Sequence, residues 1–159
     1  MPPRTARPSS SISSAGSPRR APSPRRHAVP TPLHTYDYAI VRLVPRVERG
    51  EFINAGVIVS CKTAGYLRAK VAFDESRFAA LAPKADPHDL RAALLSIPAI
   101  CEGGEAAGPL RHLSSRERFD WLVAPRSSSL QVSPVHTGRC TDLSLALDKL
   151  FDRMVAVSA

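Results

Sequence analysis

Two apolar segments place the strongest constraint on how this chain can fold. Residues 36–44 read Tyr-Asp-Tyr-Ala-Ile-Val-Arg-Leu-Val, and residues 52–61 read Phe-Ile-Asn-Ala-Gly-Val-Ile-Val-Ser-Cys. β-Branched and aromatic residues dominate both segments and neither has a helical period, which predicts two strands. Because the first segment is apolar on both faces, we expect it to lie inside a sheet and not at its edge.

Two further segments complete the predicted sheet. Residues 66–73 alternate apolar and basic side chains, and the short linker 62–65 before them is typical of a hairpin. The three strands should therefore form an antiparallel meander. A fourth strand is predicted at residues 130–133, where Pro134 confines its far end to an edge or a bulge.

Capping signals and apolar periodicity predict about four helices. They cover residues 75–81, a segment with Asp86 as its N-cap and Pro87 as its first residue that Pro98 ends or kinks, a segment opened by a capping box at 114–117, and a last segment capped by Thr141. The order of elements predicts an α+β fold. In it a mostly antiparallel four-stranded sheet, made of the meander plus one later strand, carries the helices on one face.

The basic character of the chain comes from its N-terminal residues. Residues 1–35 contain six arginines, eight prolines and no acid, so only 16 of the 22 basic residues remain in 36–159, against 14 acids. Such a composition cannot bury enough apolar surface to fold, which predicts a disordered tail over 1–34 and a single domain over 35–157. The folded part, at +2, offers no electrostatic argument for nucleic acid.

The tail contains the tetrapeptide Ser-Pro-Arg-Arg twice, at 17–20 and 23–26. It resembles the repeats of histone tails that present two cations to the DNA minor groove, so Arg19, Arg20, Arg25 and Arg26 are candidate nucleic-acid contacts. The alternatives are a solvated low-complexity leader and a start codon assigned too far upstream, with Val29 as one candidate for the true start.

Composition also bears on location and cofactors. No apolar run approaches the roughly 20 residues that a membrane span needs, and the twin arginines are not followed by the apolar stretch of a secretion signal. The three cysteines are far apart and form no C-x-x-C pair, as expected for a reducing compartment. We therefore predict a cytoplasmic protein with no metal site and no cofactor.

Polar residues form two clusters that one end of the sheet could bring together. If the fourth strand pairs beside the first, Arg46, Asn54, Arg126, Gln131 and His136 would line one pocket. Arginine forks in such a pocket would suit a carboxylate or a phosphate. The candidate binding residues are Arg46, Glu48, Arg49, Glu51 and Asn54 in the first cluster and Arg126, Ser127, Gln131, His136 and Thr137 in the second.

The same two stretches resemble a known family. The segments Y-D-Y-A-I-V-R-L-V-P-R-V-E-R-G-E-F-I-N-A-G-V and E-R-F-D-W-L-V-A-P-R-S-S-S-L-Q-V-S-P-V-H-T-G are similar to the two signatures of the bacterial domain-of-unknown-function family DUF3037. The resemblance covers about residues 35–155 and leaves the tail without a counterpart. It implies no catalytic residue, and it implies a HipA-like kinase as a protein partner, since family members are often encoded beside such kinases.

Three functional hypotheses follow. The leading one is a non-enzymatic accessory or adaptor domain that binds a partner protein or an anionic group through the polar sheet end. The second is a phosphate-handling or hydrolytic enzyme that uses Glu48 or Glu51 with His136, although no nucleophile or metal motif supports it. The third is DNA association through the tail.

Overall fold

A computed structural model describes residues 3–6, 9, 16–20, 31–126 and 128–157. The chain divides into two units, Met1–Pro30 and Thr31–Ala159. In the first unit the described residues are exposed and form neither helix nor strand. The expected disorder of the tail falls in large part on residues outside the described ones. The second unit contains every helix and strand that follows.

The sheet is built around one long strand. Strand β1 (His34–Leu43) pairs antiparallel with β2 (Ile53–Cys61), and β2 pairs antiparallel with β3 (Tyr66–Val71). On the other edge of β1 lie two short strands, β4 (Leu130–Val132) and β5 (His136–Cys140), both antiparallel to it. The predicted meander and the later strand are confirmed, and the later strand lies beside β1, but the sheet has five strands and not four.

A single serine joins the two short strands along the edge of β1. Strand β4 pairs with residues 41–43 of β1, and β5 pairs with residues 34–38. Between them, the backbone N–H of Ile40 donates to Ser133 Oγ at 2.9 Å, and Ser133 N–H donates to the Ile40 carbonyl at 2.8 Å. Pro134 has no N–H with which to continue the ladder. The buried hydroxyl of Ser133 thus takes the place of a backbone acceptor where the edge strand breaks.

Four α-helices follow the meander or lie between the later strands. They are α1 (Glu75–Leu81), α2 (His88–Glu102), α3 (Ser115–Val123) and α4 (Leu143–Met154), with short 3-10 segments at Val47–Arg49 and Gly104–His112. The capping box of Ser114 with Glu117 is confirmed. Three details differ from expectation. Helix α2 begins at His88, with Pro87 and not Asp86 at its N-cap, and it continues through Pro98 to Glu102. Asp142 caps α4 in place of Thr141.

The helices cover both faces of the sheet, which corrects the expectation of a single covered face. Helices α1, α2 and α3 pack on the face that presents Val41 and Ile58, whereas α4 packs on the face that presents Val57 and Val59. Because neighbouring residues of a strand point to opposite faces, these are two separate cores. A sheet whose central strands are apolar on both sides needs cover on both sides, and α4 supplies the second layer.

Gly56 marks a close approach between strands. The pairing of β1 with β2 shifts register between Val41 and Arg42, beside this glycine. A Cβ on Gly56 would lie 2.7 Å from Val71 Cγ1 and 3.0 Å from the Lys70 carbonyl oxygen. The space that the glycine leaves is therefore filled by β3 and is not a ligand pocket. In the described part of the chain no helix has the length and apolarity that crossing a membrane requires.

We expect Ser133→Ala to lower the free energy of unfolding by about 1–3 kcal/mol, because the buried Ile40 N–H loses its acceptor. Urea denaturation followed by circular dichroism measures the change, and hydrogen exchange should be faster at the Ile40 amide. The control is Ser76→Ala on the exposed face of α1, with an expected change within about 0.5 kcal/mol. Equal stability of Ser133→Ala and the wild type would contradict this role.

Candidate functional site

The first predicted cluster forms an exposed turn. Residues Val47–Arg49 make one 3-10 turn that ends at Gly50, whose φ of 67° lies in the left-handed region. The Arg49 guanidinium pairs with the Glu51 carboxylate, and this hydrogen bond holds the pKa of Glu51 below its usual value. Both side chains are open to solvent, so the pair contributes little to stability. Glu48 and Arg46 are also exposed.

Asn54 is attached to the second layer of the fold. Its Nδ2 donates to the Met154 carbonyl at the end of α4, at 3.1 Å. The amide nitrogen therefore ties β2 to the last turn of that helix, as expected for a polar residue inside a strand. The buried Asn54 Oδ1 accepts from no described residue. Arg46 lines a different hollow of about 440 Å³ beside Pro83 and Lys84. These two members of the first cluster do not share a cavity.

His136 and Thr137 lie on β5, toward the start of β1. The His136 ring packs on Tyr38 with 5.3 Å between ring centroids, and Thr137 Oγ1 donates to Asp37 Oδ1 at 3.1 Å. Glu51 lies near the other end of β1, since Ile53 pairs with Leu43. Leu43 lies five positions after Tyr38, which is a distance of about 17 Å along the strand. The acids and the histidine of the enzyme hypothesis are therefore kept apart by the length of β1.

Among the described candidate residues, Arg126 and Gln131 are the two that line the same cavity. Both line a cavity of about 200 Å³ between α2, α3 and β4. The Arg126 guanidinium lies 4.0 Å from the centroid of the Trp121 ring, and its Nη2 donates to the Trp121 carbonyl at 2.9 Å. Gln131 Nε2 donates to the Ser128 carbonyl at 2.9 Å. Ser127, between these residues in the chain, lies outside the described residues.

A second cavity continues the first. It has a volume of about 430 Å³ and shares Ala93, Arg126 and Leu130 with its neighbour. Asp86 and Asp89, both exposed, stand along its wall. We call the two cavities together the Arg126 groove. Apolar side chains line most of it, with the single guanidinium at the junction.

Sequence patterns did not single out Trp121 or Arg118. Trp121 follows the apolar stripe of α3 by sequence but is 40% exposed, and Arg126 lies over its ring. Arg118 was not distinguished from other helical arginines, yet it is buried and donates to the carbonyls of Leu113 and Cys101 at 2.6 and 3.4 Å. One signal in the sequence could have drawn attention to the groove. It is a tryptophan in the last turn of a predicted helix, with Pro125-Arg126 just beyond the end of that helix.

Two of the three cysteines have a raised thiol pKa. Burial raises the pKa of the Cys101 thiol to about 12, although Arg118 acts in the opposite direction. Burial also raises the pKa of the half-buried Cys140. Both thiols are therefore protonated at neutral pH, and a thiol is a far weaker nucleophile than a thiolate. Among residues 31–126 and 128–157 no three His, Cys, Asp or Glu side chains are grouped as metal ligands would be.

The structure does not test the four tail arginines as nucleic-acid contacts. Arg19 and Arg20 are exposed in a described stretch without helix or strand. Arg25 and Arg26 lie outside the described residues. The DNA hypothesis remains a prediction.

Comparison with protein-family models finds a match over residues 38–155 to the family described as a protein of unknown function, DUF3037. The chain belongs to this family. The match begins inside β1 and ends just after α4, so it includes the second part of β1, the other four strands and all four α-helices. Neither the curated proteins nor the solved structures contain a match to the chain. The resemblance seen in the two polar stretches is thereby confirmed.

The buried Cys101 thiol predicts a loss of stability in alkali. A free thiol ionises near pH 9 in the unfolded chain, whereas the folded one does so near 12, so the unfolded state binds fewer protons between these values. The stability that this thiol contributes is fully present below about pH 9. Above it, the free energy of unfolding falls by at most about 1.4 kcal/mol per pH unit because of this group. Urea denaturation in reducing buffer at pH 8.5–10 measures the slope. It should be smaller for Cys101→Ala, while the control Cys140→Ala keeps the Cys101 contribution. An unchanged slope in Cys101→Ala would contradict the prediction.

Proposed function

We propose that this protein is a non-enzymatic accessory domain that binds a partner protein through the Arg126 groove. The observation that carries the proposal is the position of Arg126. Its guanidinium is stacked on an exposed tryptophan at the junction of two cavities of about 200 and 430 Å³. Arginine and tryptophan are the residues most enriched among those that dominate the energy of protein interfaces.

Arg126 is held in place for binding. The Trp121 ring restricts the guanidinium plane, and the hydrogen bond to the Trp121 carbonyl fixes one of its nitrogens. Within the described part of the chain no carboxylate lies within ion-pair distance of Arg126, so its other N–H groups face solvent. A side chain that is ordered before association loses less conformational entropy on binding.

The lining of the groove defines the chemistry of its occupant. The first cavity offers Ile97, Ile100 and Leu122, and the second offers Phe78 and Leu90. A complementary segment has apolar side chains on both sides of a carboxylate, which pairs with the guanidinium in bidentate fashion.

The acidic wall of the second cavity sets the direction in which the partner segment binds. Asp86 and Asp89 favour a basic residue at that end, beyond the carboxylate. The partner segment is therefore acidic at its centre and basic at one end. The family resemblance implies a HipA-like kinase as the partner to test first.

The enzymatic alternative has no comparable support. It requires Glu48 or Glu51 to act on the same substrate as His136, and about 17 Å of β1 separates their positions. The predicted polar sheet end also contributes less than expected, because Arg126 and Gln131 are its only members in the groove among the described residues.

We expect Arg126→Ala and Trp121→Ala each to reduce partner recovery at least tenfold. Arg126→Ala removes the charge at the centre of the groove, and Trp121→Ala removes the ring on which that charge is stacked. Truncating one partner of a buried charge pair costs about 2–5 kcal/mol of binding free energy. The measurement is affinity purification of the tagged full-length chain from its native host with quantitative mass spectrometry. Binding of the purified candidate to the purified chain then gives the dissociation constant.

Arg46→Ala is the matched control, because Arg46 is an exposed arginine at the same end of the sheet but lines a separate hollow. It should recover the partner as the wild type does. Arg126→Lys keeps the charge but loses the planar stack and should give intermediate recovery. Equal recovery with Arg126→Ala and the wild type, at equal thermal stability, would rule out the groove. If Arg46→Ala alone lost the partner, the interface would lie at the turn that follows β1 and not at the groove.

A further inference from the structure

A second site lies on the opposite layer of the fold, between α4 and the edge strand β5. It is a cleft of about 350 Å³, within the size range of small-molecule sites. We call it the α4–β5 cleft. Its lining includes Tyr36, Arg139, Cys140, Asp142, Lys149 and Arg153.

The basic residues of the cleft lack counter-charges. Lys149 and Arg153 stand one helical turn apart on α4, about 6 Å along its axis. In the described residues no carboxylate lies within ion-pair distance of either. Of the two acids of this helix, Asp148 pairs with Lys70 on the flank over β3, and Asp152 lies within ion-pair distance of no described cation. Two like charges at this spacing destabilise a helix, so an anion between them would relieve a real cost.

The one acid of the cleft is already engaged. Asp142 caps α4, since its Oδ1 accepts from the Leu145 N–H at 3.0 Å. With Arg139 on β5 added, the lining carries three cations against this single carboxylate. The cleft therefore has a net positive charge, although the folded part of the chain as a whole is close to neutral.

The base of the cleft combines a phenol with apolar surface. Tyr36 is 9% exposed, and its ring lies across Gly138, where a Cβ would come within 2.5 Å of the ring carbon Cζ and the phenol oxygen. No described residue forms a hydrogen bond with this hydroxyl. Burial raises the pKa of Tyr36, so the phenol keeps its proton and can donate at neutral pH. Leu145 and Leu150 supply the apolar part.

We propose that the α4–β5 cleft binds a small phosphate monoester that carries an apolar body. The phosphate lies between Lys149 and Arg153 and accepts from the Tyr36 phenol, while the body packs on Leu145 and Leu150. Two adjacent cations favour a phosphate monoester over a carboxylate, because the monoester carries a charge of about −1.5 to −2 at pH 7. This site and its ligand are independent of the Arg126 groove.

Calorimetry with the full-length chain tests the ligand class, using phenyl phosphate, inorganic phosphate and benzoate as probes. Phenyl phosphate should bind at least tenfold more tightly than inorganic phosphate, because only it has a ring to bury, and at least tenfold more tightly than benzoate, which carries one charge. Benzoate binding equal to phenyl phosphate overturns the phosphate assignment. Weak small ligands bind proteins with dissociation constants up to about 10 mM. If the wild type does not bind phenyl phosphate at about 10 mM, the proposal is overturned.

Cys140 reports whether the probe occupies this cleft. It is the half-buried cysteine of the lining, whereas Cys61 and Cys101 are buried. Saturating phenyl phosphate should slow alkylation of Cys140 by iodoacetamide at least fivefold, as measured by peptide mass spectrometry. Binding without protection of Cys140 would place the ligand elsewhere and overturn the assignment.

Substitutions then identify the contacts. Lys149→Gln combined with Arg153→Gln should weaken phenyl phosphate at least tenfold, and Tyr36→Phe about threefold to tenfold, the range for one hydrogen bond. The matched control combines Lys62→Gln with Arg46→Gln, an exposed lysine and an exposed arginine that do not line the cleft. Equal weakening by the control pair would indicate a non-specific effect of net charge and overturn the site. Arg126→Ala should bind phenyl phosphate as the wild type does.

Discussion

The hydrogen bonding of β1 on both of its edges is the constraint on which the rest of the structure depends. One edge is satisfied by β2 along nearly its whole length, and the other by two short strands with Ser133 between them. Because β1 is buried on both faces as well, it needs a helical layer above and below. Strand pairing, the broken edge and the two-layer cover are consequences of this one strand having no exposed side.

The broken edge also decides where polar side chains can meet. Ser133 and Pro134 separate β4 from β5, so the residues that follow β4 are carried toward the start of β1 and away from the turn at its end. His136 and Thr137 therefore contact Tyr38 and Asp37. Arg126, which precedes β4, stays at the other end beside α2 and α3. A polar cluster that is dense in sequence is thus divided by the geometry of one edge strand.

Local signals account for the elements that the sequence predicts well. The meander follows from alternation and a short linker, and α3 follows from its capping box, because these features are decided within a few residues. Strand β5, His-Thr-Gly-Arg-Cys, has no apolar alternation and exists because β1 offers it a backbone ladder. The position of α4 is not local either, since its apolar stripe fits either face of a sheet. The two-sided apolarity of residues 36–44 was the available evidence that both faces need cover.

Net charge is a poor guide to recognition in this fold, and local pairing is a better one. Five of the 16 lysines and arginines of residues 36–159 form ion pairs with described residues; Lys70 pairs with Asp148, for example, and Arg116 pairs with Asp37 and Asp120. Arg126 on one layer and Lys149 with Arg153 on the other are among those that form no ion pair with a described residue, and each of the three lines a cavity. The sheet lies between these two places, and its strands are closely packed on both sides. Strand β1 contributes to both places, since its Tyr36 lines the cleft and its residues 41–43 pair with β4, which lines the groove.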